Sequence, residues 1–185
     1  MRAFLFVVTL ALAAPVSNAQ SSRHELELVE ARAADVESID AVVNAYYESL
    51  SGEGGDRRAS KRRYASLFTK WARVVTPTLV NENGENVPNA RRIDDWMTRY
   101  PDARDASFYE WEVARRTESF GHMAHVTSTY EIRDRKTDPA PKSHGLTSFD
   151  LAFIDGRWWI VGLQWSGTDA ASPLPPRYRA APPVR

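Results

Sequence analysis

Gly145-Leu146-Thr147-Ser148-Phe149-Asp150-Leu151-Ala152-Phe153-Ile154 runs through Asp155-Gly156 into Arg157-Trp158-Trp159-Ile160-Val161-Gly162-Leu163-Gln164-Trp165. Apolar residues recur at a spacing of two on both sides of a two-residue Asp-Gly turn, which is a strong local signal for a β-hairpin. Toward the N-terminus, Phe108–Glu118 and His122–Asp134 carry the same alternation and are joined at Gly121. The stretch Lys136–Ser143, with Asp138-Pro139-Ala140-Pro141 inside it, reads as a loop between the two pairs. Four extended segments thus fill the C-terminal half.

Upstream the apolar period lengthens to about 3.6. Val36, Ile39, Val43, Tyr46, Tyr47 and Leu50 predict a helix over 35–50, and Tyr64, Leu67 and Phe68 predict one over 58–68. Ser51-Gly52-Glu53-Gly54-Gly55-Asp56 breaks the chain between them. Ala72–Val75 reads as a short strand ended by Pro77, and Asn83-Gly84 as a hairpin turn. Asn89 is placed to cap a third helix on which Ile93, Trp96, Met97 and Tyr100 share a side. About three helices followed by strands define an α+β class, with helices packed on one face of an antiparallel sheet. Strands of this length twist and bulge, so the sheet should curl around its helices.

The first residues carry a different message. Arg2, the apolar run Ala3–Ala14, and small residues at Ser17 and Ala19 have the layout of a signal peptide, with cleavage near Ala19. The run is shorter than the roughly 20 apolar residues that span a bilayer. The expected organisation is a signal peptide at 1–19, a polar lead-in at 20–34, one domain at 35–167 and a Pro/Arg-rich tail at 168–185. The protein is therefore expected to be exported, to the periplasm or the medium. No cysteine is present, so a domain of this size must be held by its core, to which six tryptophans, seven tyrosines and seven phenylalanines contribute.

Charge is balanced, 24 Lys plus Arg against 24 Asp plus Glu, which supplies no global field toward nucleic acid or an anionic membrane. The local cluster Arg57, Arg58, Lys61, Arg62 and Arg63 lies opposite Tyr64, Leu67 and Phe68 and reads as a solvated helix face.

Several segments together resemble a bacterial exported nuclear transport factor 2-like (SnoaL-like) group. They are Phe120–Glu131, Gly145–Phe149, Asp155–Val161, Ser66-Leu67-Phe68 and Pro173–Tyr178, in that family's order of elements. The resemblance covers about residues 35 to 178 and implies a cone-shaped, cystatin-like fold with a pocket between helices and sheet, often in a dimer. It brings in isomerases, dehydratases and cyclases as well as non-catalytic binders, so fold alone does not choose among them.

Alternation splits each strand into two phases. The greasier phase reads Tyr109, Trp111, Val113, Arg115; then Ala124, Val126, Ser128, Tyr130, Ile132; then Thr147, Phe149, Leu151, Phe153; then Trp159, Val161, Leu163, Trp165. Placed toward the helices, it makes Tyr46, Tyr109, Trp111, Arg115, Ser128, Tyr130, Thr147 and Trp165 the ligand-binding candidates of an aromatic-lined pocket. No Asp or Glu falls on that phase; Glu110 and Glu112 fall on the other. A general base inside the cone is thus not expected, and no catalytic residue is assigned. The leading expectation is an exported binder of a small, largely apolar molecule. Its rivals are an isomerase, dehydratase or cyclase-like enzyme using Tyr46, Tyr130 or Arg115 with a helix carboxylate, and a non-catalytic dimerising module. No metal site and no cofactor are expected, because the four histidines are not spaced as converging ligands. Leu146, Ala152, Ile154, Trp158, Ile160 and Gly162 make the opposite phase of the last hairpin apolar too, which predicts a homodimer through the convex sheet face, with covering by the proline-rich tail as the alternative.

Overall fold

The computed structural model describes residues 30–80 and 83–179. The expected signal peptide, and the lead-in before Glu30, lie outside the described residues. In chain order the elements are α1 (Ala33–Val36), α2 (Ile39–Leu50), β1 (Gly55–Asp56), α3 (Arg58–Ser66), β2 (Phe68–Val80), β3 (Asn86–Arg92), α4 (Ile93–Arg99), β4 (Ala103–Arg104), β5 (Tyr109–Phe120), β6 (Met123–Arg133), β7 (Ser143–Ile154) and β8 (Arg157–Gly167). A short 3-10 turn, Pro176–Tyr178, follows in the tail.

Six strands form one sheet in the order β3-β2-β8-β7-β6-β5, and β1 with β4 forms a separate two-stranded ribbon. The sheet is mixed rather than antiparallel, because β2 runs parallel to β8 while every other pair is antiparallel. A strand that enters from a helix and leaves through a hairpin can lie beside the last strand in that sense without a crossover helix. β2 is also far longer than the four-residue strand expected from sequence. It continues through Pro77, where the register with β3 shifts between Thr76 and Leu79; a bulge is where a residue lacking an N–H donor is tolerated.

Ser38 caps α2, its hydroxyl accepting the Ala41 N–H at 3.1 Å, which satisfies one of the free donors of the first turn. Asn89 does not cap α4. It sits in β3, where its amide donates to Thr76 Oγ1 at 2.5 Å, and α4 starts without a side-chain cap. The apolar stripe of α2 supplies Val42, Val43, Tyr46 and Tyr47 to the core. Tyr64, Leu67 and Phe68 come from α3 and its end, Ile93 and Met97 from α4, and Val126, Phe149, Leu151, Ile160 and Leu163 from the sheet.

Two bulges decide which side chains enter the cone. The β5–β6 register shifts between Glu112 and Ala114, leaving Val113 as the extra residue. Beyond it Arg115, Thr117 and Ser119 pair with the buried-phase residues Ser128, Val126 and Ala124; before it Glu112 and Glu110 pair with Tyr130 and Ile132. The first half of β5 is thus turned over relative to a regular strand. Tyr109 and Trp111, expected inside, face the outer side, while Glu110 and Glu112 face the helices. The second bulge lies in β8, where Leu151 pairs with Ile160 and Asp150 with Gly162. It sends Ile160 into the core and Trp158 against it, and puts Trp159 outside, stacked 3.6 Å from the Arg157 guanidinium. Two residues that had suggested an apolar outer face, Trp158 and Ile160, therefore belong to the inner one. The tail also crosses that outer face: Thr129 Oγ1 donates to the Tyr178 carbonyl at 2.6 Å.

Candidate functional site

At the middle of the cone, rings pack against one another. Tyr46 lies 4.9 Å from Phe149 and 5.5 Å from Tyr64, and Tyr64 lies 4.9 Å from Phe68, measured between ring centroids. Of the aromatic residues expected to line a pocket, Tyr46 is packed within this cluster.

Glu110 projects into this cluster. It is 9 % exposed, and burial alone pushes its carboxyl up to about 8, with no cation or hydrogen bond offsetting it. Its backbone is fixed by Ser51, whose hydroxyl receives the Glu110 N–H at 2.9 Å and donates to the Glu110 carbonyl at 2.8 Å. Tyr46, Tyr47, Tyr64, Tyr100 and Tyr130 surround it. Burial first, and the Glu110 charge among the lesser causes, raises the pKa of all five phenols, that of Tyr130 to about 12.

Glu112, two residues on, is fully engaged. Arg115 Nε donates to its Oε1 at 2.7 Å and the Ser128 hydroxyl donates to its Oε2. Ser128 in turn shares a 2.7 Å hydrogen bond with the Tyr47 hydroxyl, beside Thr147. Arg115 reaches on to Asp40 and to Asn44 Oδ1, tying β5 to α2. Of the residues expected at a site, Arg115 and Ser128 are joined through Glu112 with Thr147 beside them, while Tyr46 and Tyr130 lie in the core around Glu110. Trp165 stands apart, packed edge-on against Trp96 of α4 at 5.4 Å. Tyr109 and Trp111 belong to neither group. The Tyr109 hydroxyl donates to Glu53 beneath Lys136, and Trp111 lies under Arg133.

Open space lies at one end of the cone, in a cleft of about 330 Å³ lined by Leu50, Arg57, Trp96, Tyr100, Arg104 and Phe108 with Arg99 and Pro101 at its rim. Arg57, read from sequence as part of a solvated face, is 7 % exposed. Its guanidinium donates to the Ser49, Leu50 and Ser51 carbonyls at 3.0, 3.1 and 2.9 Å, closing the end of α2. It lies directly over Gly52, where any Cβ would collide with its Nη1. Arg104 donates to Leu50 and Gly52 from the other side. Tyr100 joins the cleft to the interior: it lies near Arg57 and Glu110, and its ring is 5.4 Å from that of Tyr64.

Glu110, Glu112, Tyr47, Tyr64, Tyr100, Arg57 and Arg104 were not on the expected list. The aromatic spacing of α2 and α3 announced Tyr47 and Tyr64 as core; nothing in the local sequence announced the inversion that brings in the glutamates.

Solved structures place this architecture. A cystatin-like-fold protein of unknown function from Nostoc punctiforme matches with a TM-score of 0.52 at 10% identity, over 71% of this chain and 90% of that one. A function-unknown protein from Mycobacterium tuberculosis matches at 0.51 and 16% identity, over 72% and 76%. A nuclear transport factor 2-like protein of unknown function from Shewanella oneidensis gives 0.49 at 15% identity, over 69% and 95%. The chain has the α+β fold called nuclear transport factor 2-like or cystatin-like. At such identities the likeness concerns fold alone. No protein-family model matches the sequence, and no curated protein matches it.

Proposed function

We propose that this is an exported small-molecule-binding protein of the SnoaL-like kind, whose ligand enters the end cleft beside α4 and is read by the tyrosine-ringed Glu110 behind it. The observation that carries this reading is Glu110 itself, a carboxyl held in a dry interior with no cation to neutralise it. Such a group weakens the fold wherever it ionises, and buried groups of this sort concentrate at sites of binding or catalysis. The adjoining cleft supplies apolar walls and a few polar groups, the usual make-up of a ligand site.

One feature favours a catalytic version of the same site. A carboxyl that titrates near neutrality, among phenols able to donate hydrogen bonds, suits general acid–base chemistry of the isomerase, dehydratase or cyclase type. The test for both is a thermal-shift and turnover screen of apolar compounds against the parent and Glu110→Gln. A ligand of this site should lose at least about tenfold in affinity or turnover in the variant, the scale of one lost charged or protonated contact. Hits that bind both forms equally would refute the role of Glu110.

A further inference from the structure

Three arginines line the end cleft, Arg57, Arg104 and the exposed Arg99, and among the described residues no carboxylate pairs with Arg57 or Arg104. Among the described residues Glu53 accepts from Tyr109, Asp56 pairs with Arg58 at 2.7 Å and Asp102 pairs with Lys61 at 2.8 Å, while Asp105, next in the chain to Arg104, is exposed. Glu110 is held largely protonated by burial. The partners that Arg57 and Arg104 do have are backbone carbonyls, chiefly the last turn of α2. A helix C-terminus offers about half a negative charge, against two full positive ones. Burial, and then repulsion from Arg57, lowers the pKa of Arg104, yet a guanidinium stays charged in a protein. Arg57 Nε is buried with no acceptor at all. Around this surplus charge the walls are flat and apolar, namely Trp96, Tyr100 and Phe108, with the Arg104 guanidinium 5.2 Å from the Phe108 ring centroid.

Two unmet cations set among aromatic walls form a receptor for the complementary molecule. We propose that the cleft recognises a small carboxylate carried on a flat apolar body, with the carboxylate held by Arg57 and Arg104 and the body between Trp96, Tyr100 and Phe108. Its volume of about 330 Å³ is at the small end for ligand pockets, which suits a one- or two-ring acid. Arginine is the residue that binds a carboxylate through paired donors, and in a half-dry site such pairs are stronger than neutral hydrogen bonds. This rests on the reading that the cleft takes a small molecule, and it adds the ligand's charge.

The probes are 2-naphthoate and its neutral amide, 2-naphthamide, titrated calorimetrically against the parent, Arg104→Gln and Arg104→Lys. Naphthoate should bind at least about tenfold tighter than the amide, Arg104→Gln should remove that preference, and Arg104→Lys should keep part of it. If the variants fail to fold, the acid-to-amide ratio on the parent protein decides alone. An amide that binds as tightly as the acid, or a preference that survives Arg104→Gln, overturns the carboxylate while leaving a small-molecule cleft standing. If neither probe binds at millimolar concentration, the cleft reading falls with it.

Discussion

Glu110 of β5 is a buried carboxyl whose inward position is set by the neighbouring bulge at Val113. It alternates with Tyr109 and Trp111, and two aromatics would ordinarily claim the buried side of a strand. The residue that reverses them is Val113, an ordinary strand former without the glycine or proline that often marks a bulge. Alternation therefore identified two phases correctly and assigned the wrong one to the first half of β5. Ser128, Tyr130 and Thr147 were legible because β6 and β7 pair without interruption over that stretch. The energetic sign at Glu110 is definite. Its carboxyl titrates near 8 in the fold and near 4.5 when unfolded, so the folded state holds an extra proton between those values. Stability is full below about pH 4.5, declines as pH rises toward 8 and levels off above it. Glu110→Gln should cancel that slope in urea titrations. The variant should match the parent near pH 5 and exceed it by a few kcal/mol near pH 9.

Among elements, the helices were the most legible and the edges of the sheet the least. The 3.6-residue stripe announced α2, although the expected helix over 35–50 is broken at Glu37-Ser38 and α2 starts at Ile39. The pairing of β2 depends on a partner some ninety residues away, which no local pattern encodes. Pro77 looked like a strand terminator because a proline cannot donate to a ladder; an irregular register lets β2 pass it. The helices are fastened by an ion pair as well as by rings. Arg63 of α3 grips both oxygens of Asp35 in α1 at 2.8 Å each and adds Glu48 of α2 at 2.7 Å. The Arg63 hydrogen bond is the main cause holding the Asp35 carboxyl below its usual range. Asp35 is almost fully buried, so Arg63→Ala leaves a charge without its partner. The loss should be roughly 2–3 kcal/mol in urea unfolding at neutral pH. Arg63→Ala and Asp35→Asn combined should cost clearly less than the sum of the two, and strict additivity would show that the pair is not coupled.

For the molecule as a whole, the helix-then-strand order predicted helices packed on a curved sheet, and the family resemblance added the cone. What the order could not show is how full the cone is. Helical tyrosines at 46, 47 and 64 reach the sheet and fill its middle, and a cleft remains at the end near Arg57 and Arg104. The tail lies over the outer face at Thr129, and the last hairpin's register takes Trp158 and Ile160 off that face while turning Trp159 onto it. The end cleft, the tyrosine ring and the proposed ligand all depend on Glu110 pointing into the cone. Carbon-13 NMR of side-chain-labelled glutamates, with Glu110→Gln to assign the signal, measures this directly. A Glu110 carboxyl titrating near 8, well apart from the other glutamates, is the expected result. A midpoint near 4.5 would put the group in water and contradict the inverted strand on which the site is built.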